Sequence, residues 1–504
     1  MNFTRGTHAD IGLLLEGTYP YVSGGVSSWV HQLIRGFPEY TFALIFIGSR
    51  PEDYGDRKYP LPDNVVHLEH HYIFSSHEAP PVQACDGDAE VFERVDKLHE
   101  AFRTPLATPW SGLFAELAKE LHEGGKLPHG TFLYGRRSWD FIRNRYSKYC
   151  ADPSYIDYFW TVRIMHTPVW LLAAAGQHPF PVRAYHTVST GYAGFLGALL
   201  KQYTGKPLIL SEHGIYTKER KIDLFQSDWV RDNRNLFQRS ATEIGYLKQL
   251  WIRFFEVLGK MCYDACDHIV ALYEANRQRQ LQDGAPEGKT RCIPNGVNLS
   301  KLVPLRRQRA EGVPPVMCLI GRVVPIKDVK TYIRAMRTVV NRVPEAQGWI
   351  VGPEEEDPEY ARECRELVQS LGLAESVKFL GFQKVEDILP KVGLLVLSSI
   401  SEALPLVVLE AYGAGVPVVT TDVGSCRQLV YGLAGEDEAL GPSGRIVGIA
   451  SPEALADACL ELLTDEEAWH AAQKAGMERV ERYYSEELVF DSYRGIYRAC
   501  LKET

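Results

Sequence analysis

Short apolar runs bounded by turn residues alternate with stretches of helical periodicity, and they do so twice along this chain. That alternation leaves few folds open. A strand followed by a crossover helix returns as a parallel strand, and parallel sheets need helices on both faces. The first series opens at residues 10–16 (DIGLLLE), passes through a glycine loop at 17–25 and a helix at 26–36, and reaches a strand at 41–47. Further strands are predicted at 183–188, 207–210, 268–272 and 290–294, with helices at 192–203 and 244–265. The second series has strands at 316–320, 348–351, 377–380, 393–398, 417–420 and 444–447, with helices between and after them. The prediction is an α/β chain of two Rossmann-like, doubly wound domains. They are expected to face each other across a cleft, because ligands of such sheets bind at the strands' carboxyl ends.

At 504 residues the chain exceeds what one core holds. Residues 299–315 mix charge and proline without an apolar period, which places a linker there. The expected division is 1–298, 299–484 and a final helix at 485–504. Residues about 75–170 break the alternation and read as an aromatic-rich helical insertion.

The net charge of −9 argues against a phosphate-tracking nucleic-acid binder but leaves a small anionic ligand open. The polar start lacks a signal-peptide pattern, and no window nears the ~18 apolar residues of a membrane span. A cytoplasmic protein is expected. The ten cysteines lack paired metal spacing. Cys262 and Cys266 share a helix face, but two ligands do not close a zinc site. His67, His70 and His71 flank a peripheral strand, and no metal is expected there.

Four loops carry chemistry. In SEALPLVVLEAYGAG, residues 401–415, Glu402 precedes a helix whose first turn suits Pro405, and Glu410 follows eight residues on. A helix N-terminus favours an anion, and flanking carboxylates accept hydroxyls, so the pair suits a nucleotide sugar. In GRVVPIK, residues 321–327, Arg322 and Lys327 offer two cations at one strand end, as a diphosphate requires. Gly24 and Gly25 let backbone approach a ligand but lack the dinucleotide fingerprint. His213, in the SEHG run after the strand ending at Leu210, offers a hydroxyl partner, with Lys218 and Arg220 adding charge beyond it. His186 occupies a similar strand end, where a structural role is the stronger expectation.

Together with IPNGVN at 293–298, these motifs resemble the retaining family-4 glycosyltransferases of GT-B fold. Glu402 and Glu410 match that family's paired glutamates, and Arg322 and Lys327 its cation pair. LLLEGTYPYVSGGVSSWVHQL and SEHGIYTKER narrow the resemblance to the PelF-type enzymes of Pel exopolysaccharide biosynthesis. The resemblance implies a UDP-sugar donor, a growing polysaccharide acceptor, no metal or other cofactor, and integral-membrane partner subunits. It also implies roles. Arg322 and Lys327 hold the diphosphate, and Glu402 the donor sugar. Leu406, Glu410, Gly24 and Gly25 line the donor. Glu16, His213 and Lys218 lie on the sugar or acceptor side. Two departures stand out: Ala403-Leu404 replaces a common Gly-Phe pair, and Asn298 replaces a common Asp. Another GT-B catalyst, such as an epimerase or a glycogen-synthase-like enzyme, and a catalytically silent nucleotide-sugar-binding scaffold remain as alternatives.

Overall fold

The computed structural model describes residues 2–74, 82, 84–103, 110–122, 124–227, 229–230, 232–233 and 244–502. Parts of the expected insertion, at 75–81, 83, 104–109 and 123, lie outside these. The chain divides into two compact units. Unit 1 comprises 1–271, 276–292 and 494–504, and unit 2 comprises 272–275 and 293–493.

In unit 1 the strands are β1 (Phe3–Thr4), β2 (Ala9–Glu16), β3 (Phe42–Gly48), β4 (Val65–Tyr72), β5 (Val182–Thr187), β6 (Leu208–Glu212), β7 (His268–Ala271) and β8 (Thr290–Cys292). They form one sheet in the order β1-β4-β3-β2-β5-β6-β7-β8. All neighbours are parallel except β1, which caps the edge against β4. The unbroken apolar runs of β2 and β3 follow from helices on both faces. Between β4 and β5 the chain is helical, including Ala89–Ala101, Arg136–Tyr149 and Tyr155–Gln177. These helices share the sheet's core: Tyr203 Oη donates to the Ala118 carbonyl at 2.8 Å, and Trp170 Nε1 to that of Leu127 at 2.8 Å.

Unit 2 is built on β9 (Val316–Ile320), β10 (Gln347–Val351), β11 (Val377–Gly381), β12 (Leu394–Leu397), β13 (Val418–Thr421) and β14 (Gly444–Val447). Every pair is parallel, in the order β11-β10-β9-β12-β13-β14. Arg479 is fully buried here. It is compensated by Asp437 Oδ2 at 2.5 Å and by the carbonyls of Val430 and Gly441 at 3.0 Å each. A charge can stay inside only when its donors are satisfied in this way.

Two boundaries differ from expectation. Residues 299–315 are not a linker: they form the helix Leu299–Leu302 and a 3-10 turn Val303–Gln308. Leu302 and Leu305 are buried, and Arg306 Nε donates to the Gly413 carbonyl at 2.8 Å. The chain enters unit 2 at Ile293, and Val297 bridges to Ser485 within that unit. The last helix, Glu486–Leu501, divides between the units, returning to unit 1 at Arg494 rather than at 485.

Candidate active site

In each sheet the strand order reverses at one point, and the loops leaving the two central strands there diverge to open a crevice. In unit 2 the reversal lies between β9 and β12. The loop after β9 carries Gly321 to Lys327, and the loop after β12 carries Ser398 to Pro405. Hydrogen bonds staple these loops together. Ser398 Oγ donates to the carbonyls of Lys327 and Asp328 at 2.9 and 3.0 Å, and the Ile400 N–H donates to that of Ile326 at 2.8 Å. The loops bring Lys327 Nζ to 2.5 Å from Glu402 Oε1, which also accepts Ser399 Oγ at 2.6 Å. Both partners of this ion pair are mostly shielded from solvent. Among the described residues nothing donates to Glu402 Oε2, so that oxygen is available to a hydroxyl.

Gly424, in the loop after β13, fixes the rear of the Glu402 loop. Its φ is +53°, and a Cβ there would lie 2.2 Å from the Glu402 carbonyl oxygen. The next residue, Ser425, donates its N–H to Ala403 O at 2.9 Å. Pro405 stands just before the helix Leu406–Gly413 rather than within its first turn. The Leu406 and Val407 N–H groups therefore precede the first intrahelical bond, and Leu406 opens the helix at the crevice. Glu410, half-buried in that helix, has its carboxyl pushed up to about 7, first by burial and then by the charge of Glu386. Arg322 is exposed, and its Nη1 holds both oxygens of Glu356 at 2.6 and 2.7 Å. The structure thus pairs Lys327 with Glu402 and sets Arg322 against a different carboxylate. Asn298 is a helix cap: its Oδ1 accepts Ser300 Oγ at 2.7 Å.

In unit 1 the reversal lies between β2 and β5. A cavity of about 630 Å³ opens there, lined among others by Glu16, Ser189, His213, Tyr216, Glu219 and Arg220. Glu16 ends β2. Its Oε1 accepts Tyr216 Oη at 2.8 Å, and its Oε2 accepts the Ala193 N–H at 3.1 Å and Ser189 Oγ at 3.3 Å. The carboxylate thus sits on the N-terminus of the helix Tyr192–Thr204, where the helix dipole favours it. Strand β6 extends through Glu212, two residues further than expected, because the buried Glu212 carboxylate is hydrogen-bonded inside. It accepts Tyr263 Oη at 2.7 Å, Gln280 Nε2 at 3.0 Å and the Tyr216 N–H at 3.2 Å.

His213 follows Glu212, 6% exposed and edge-on to Trp29 at 4.5 Å between ring centroids. Burial holds its imidazole down at about 4, so it is neutral, and among the described residues its Nε2 has no hydrogen-bond partner. A buried, unpaired imidazole nitrogen on a cavity wall is an exception to polar satisfaction that a ligand hydroxyl would repair. Gly214 leaves room for Glu219, whose Oε1 would lie 2.0 Å from an added Cβ.

The other predicted residues divide. Gly24 caps the helix Gly25–Gly36, and both glycines are exposed with open space beside them. Lys218 is exposed on the helix Tyr216–Gln226 and does not line the cavity. His186 is structural: its nitrogens meet Tyr497 Oη and Ser211 Oγ, each at 2.8 Å. His67 and His71 bond Glu69, each at 3.1 Å, while His70 bonds Tyr21 Oη and Asn2 Oδ1, each at 2.6 Å. Sequence reasoning missed Ser189, Tyr216, Ser399 and Gly424. Their types are common, and only the strand order brings them to the two crevices.

Residues 314–465 match the family described as glycosyl transferases group 1. A D-inositol 3-phosphate glycosyltransferase of Corynebacterium urealyticum is 27% identical over 340 residues, covering 60% of this chain and 77% of the relative. An exopolysaccharide phosphotransferase of Streptomyces coelicolor is 32% identical over 216 residues, 40% of this chain but only 20% of that protein. Among solved structures, Anabaena HepE in complex with UDP superposes with a TM-score of 0.58 over 97% of this chain and 100% of its own, at 14% identity, and so shares the GT-B fold. Residues 9–288 match the family described as a domain of unknown function, DUF3492. The chain belongs to that family and, with a group 1 glycosyltransferase domain behind it, is a glycosyltransferase.

Proposed function

We propose that this enzyme moves a sugar, with retention of anomeric configuration, from a UDP-sugar to a growing exopolysaccharide of the Pel type in biofilm matrix synthesis. UDP-glucose and UDP-N-acetylhexosamines are the donors proposed. The observation that carries this reading is the Lys327–Glu402–Ser399 constellation at the strand reversal of unit 2. A diphosphate leaving group gains charge as the glycosidic bond breaks. Lys327 offers a fixed cation for that charge, and the N–H groups opening the helix Leu406–Gly413 offer two donors. Arg322 joins them by exchanging Glu356 for phosphate, an exchange that costs little because exposed ion pairs contribute about 0–1 kcal/mol. Glu402 Oε2 accepts a sugar hydroxyl and Glu410 the ribose diol. Glu16 and His213 receive the sugar or acceptor on the unit 1 side, and no metal is required.

Support for the nucleotide and the acceptor class comes from the relatives, one bound to UDP and one named for an exopolysaccharide. No helix among the described residues is long and apolar enough to cross a membrane. Work at a membrane, in this reading, goes through partner subunits from the cytoplasm. The exposed Ile156 and Trp160 on the helix Tyr155–Gln177 are the surface we assign to them.

The test is turnover. The protein is incubated with UDP-glucose or UDP-N-acetylglucosamine, with and without an oligosaccharide acceptor, and UDP release and product anomers are followed. Acceptor-dependent release with a retained anomer is expected. Inversion of a donor-sugar centre without acceptor would favour an epimerase. Tight UDP binding without turnover would favour the silent scaffold.

A further inference from the structure

A second cavity lies in unit 1, away from the strand reversal, among the helices between β4 and β5 and the helix Tyr246–Ala265. Its volume is about 320 Å³, at the small end for a ligand site. Its wall contains Arg103, Arg145, Lys148 and Arg253 with three tyrosines, and the Glu100 carboxylate stands beside it, accepting Tyr149 Oη at 2.7 Å. That concentration of positive charge stands out in a chain whose net charge is −9.

Arg145 is the anchored member, 7% exposed, with Nε on Asp96 Oδ1 and Nη1 on Glu100 Oε2, each at 2.8 Å. The other three differ. Among the described residues no carboxylate lies within ion-pair distance of Arg103, Lys148 or Arg253. Arg103 sits with its Cζ 4.2 Å from the centre of the Tyr149 ring, and Lys148 Nζ lies 4.8 Å from the same ring. Arg253, Arg103 and Arg145 all act on the Tyr246 phenol, against the burial that raises it, so their charges converge on one space.

Like charges gathered in a concavity repel one another and lower the stability of the fold unless an anion offsets them. Guanidinium groups supply forked donors for phosphate oxygens, and the hydroxyls of Tyr158 and Tyr246 supply more, that of Tyr149 being held by Glu100. We infer that this cavity is a second ligand site, taking a small phosphorylated molecule with two or more negative charges on Arg103, Lys148 and Arg253. It is separate from the strand-reversal sites and contains none of the residues assigned to the transferred sugar.

The probe is inorganic pyrophosphate, titrated calorimetrically. The background is Lys327→Ala, which weakens the diphosphate site of unit 2 and keeps this measurement independent of the donor assignment. Saturable binding is expected there, and Lys148→Glu with Arg253→Glu on the same background weakens it tenfold or more. The same pair in otherwise wild-type protein leaves UDP affinity unchanged, which also reports an intact fold. If charge reversal lowers the melting temperature, Lys148→Gln with Arg253→Gln replaces it. No saturable pyrophosphate binding, or equal binding with and without these cations, overturns the inference.

Discussion

Lys327 and Glu402 hold each other at 2.5 Å, with Ser399 Oγ on the same carboxylate oxygen. This contact makes each side chain's role separable. Glu402→Gln leaves the Lys327 cation without its anionic partner, so UDP binds as well as before or tighter. Turnover falls about a hundredfold, the usual cost of losing one preorganised polar contact to the transition state. A variant that binds UDP at least tenfold more weakly would place Glu402 on the nucleotide instead. Glu410 gives a pH signature. Its carboxyl is pushed from 4.5 up to about 7, first by burial and then by Glu386. Raised in the folded state, it contributes stability below its unfolded value and loses it as pH rises through 7. A shift of that size corresponds to roughly 3 kcal/mol at most. Thermal melts of wild type and Glu410→Gln should diverge between about pH 5 and pH 8, with the wild type losing more. Parallel curves would mean that the carboxyl is not desolvated.

At the scale of elements, loops rather than strands set the site. Gly424 touches no proposed substrate group, yet its φ of +53° and the lack of room for a Cβ beside the Glu402 carbonyl oxygen shape the Glu402 loop. Gly424→Ala forces that loop to move, at a cost larger than the ~1 kcal/mol by which a compatible glycine-to-alanine replacement stabilises a fold. Turnover is expected to fall more than tenfold while far-UV circular dichroism is retained. Wild-type turnover would show that the Glu402 loop tolerates displacement.

The strands of unit 2 were legible because each is a short apolar run with turn residues at its ends. The Glu402–Glu410 and Arg322–Lys327 spacings were legible because each lies within one loop and helix. Residues 299–315 were not, because charge and proline outnumber the two leucines that anchor them. The extra residues of β6 were hidden for a related reason: a glutamate at a strand end reads as exposed. In the fold, Tyr263 and Gln280, more than fifty residues away, satisfy that carboxylate. Ser189 and Tyr216 reach Glu16 by the same kind of long-range convergence, which no local pattern encodes.

At the scale of the molecule, the two sheets share an arrangement. Each reverses its strand order once, and each places polar residues on the loops leaving the two strands at that reversal. One reversal gathers a lysine, a carboxylate and a helix start, the chemistry of a phosphorylated donor. The other gathers a helix-capping carboxylate and a neutral histidine whose Nε2 has no partner among the described residues, the chemistry of hydroxyls. The first is expected to bind the uridine diphosphate of the donor through Lys327. The direct measurement is calorimetric titration of UDP, GDP and ADP into wild type, and of UDP into Lys327→Ala. Selective UDP binding that weakens about tenfold or more in the variant, roughly 1.4 kcal/mol, is the predicted result. Equal affinity for all three nucleotides, or UDP binding indifferent to Lys327, would contradict it.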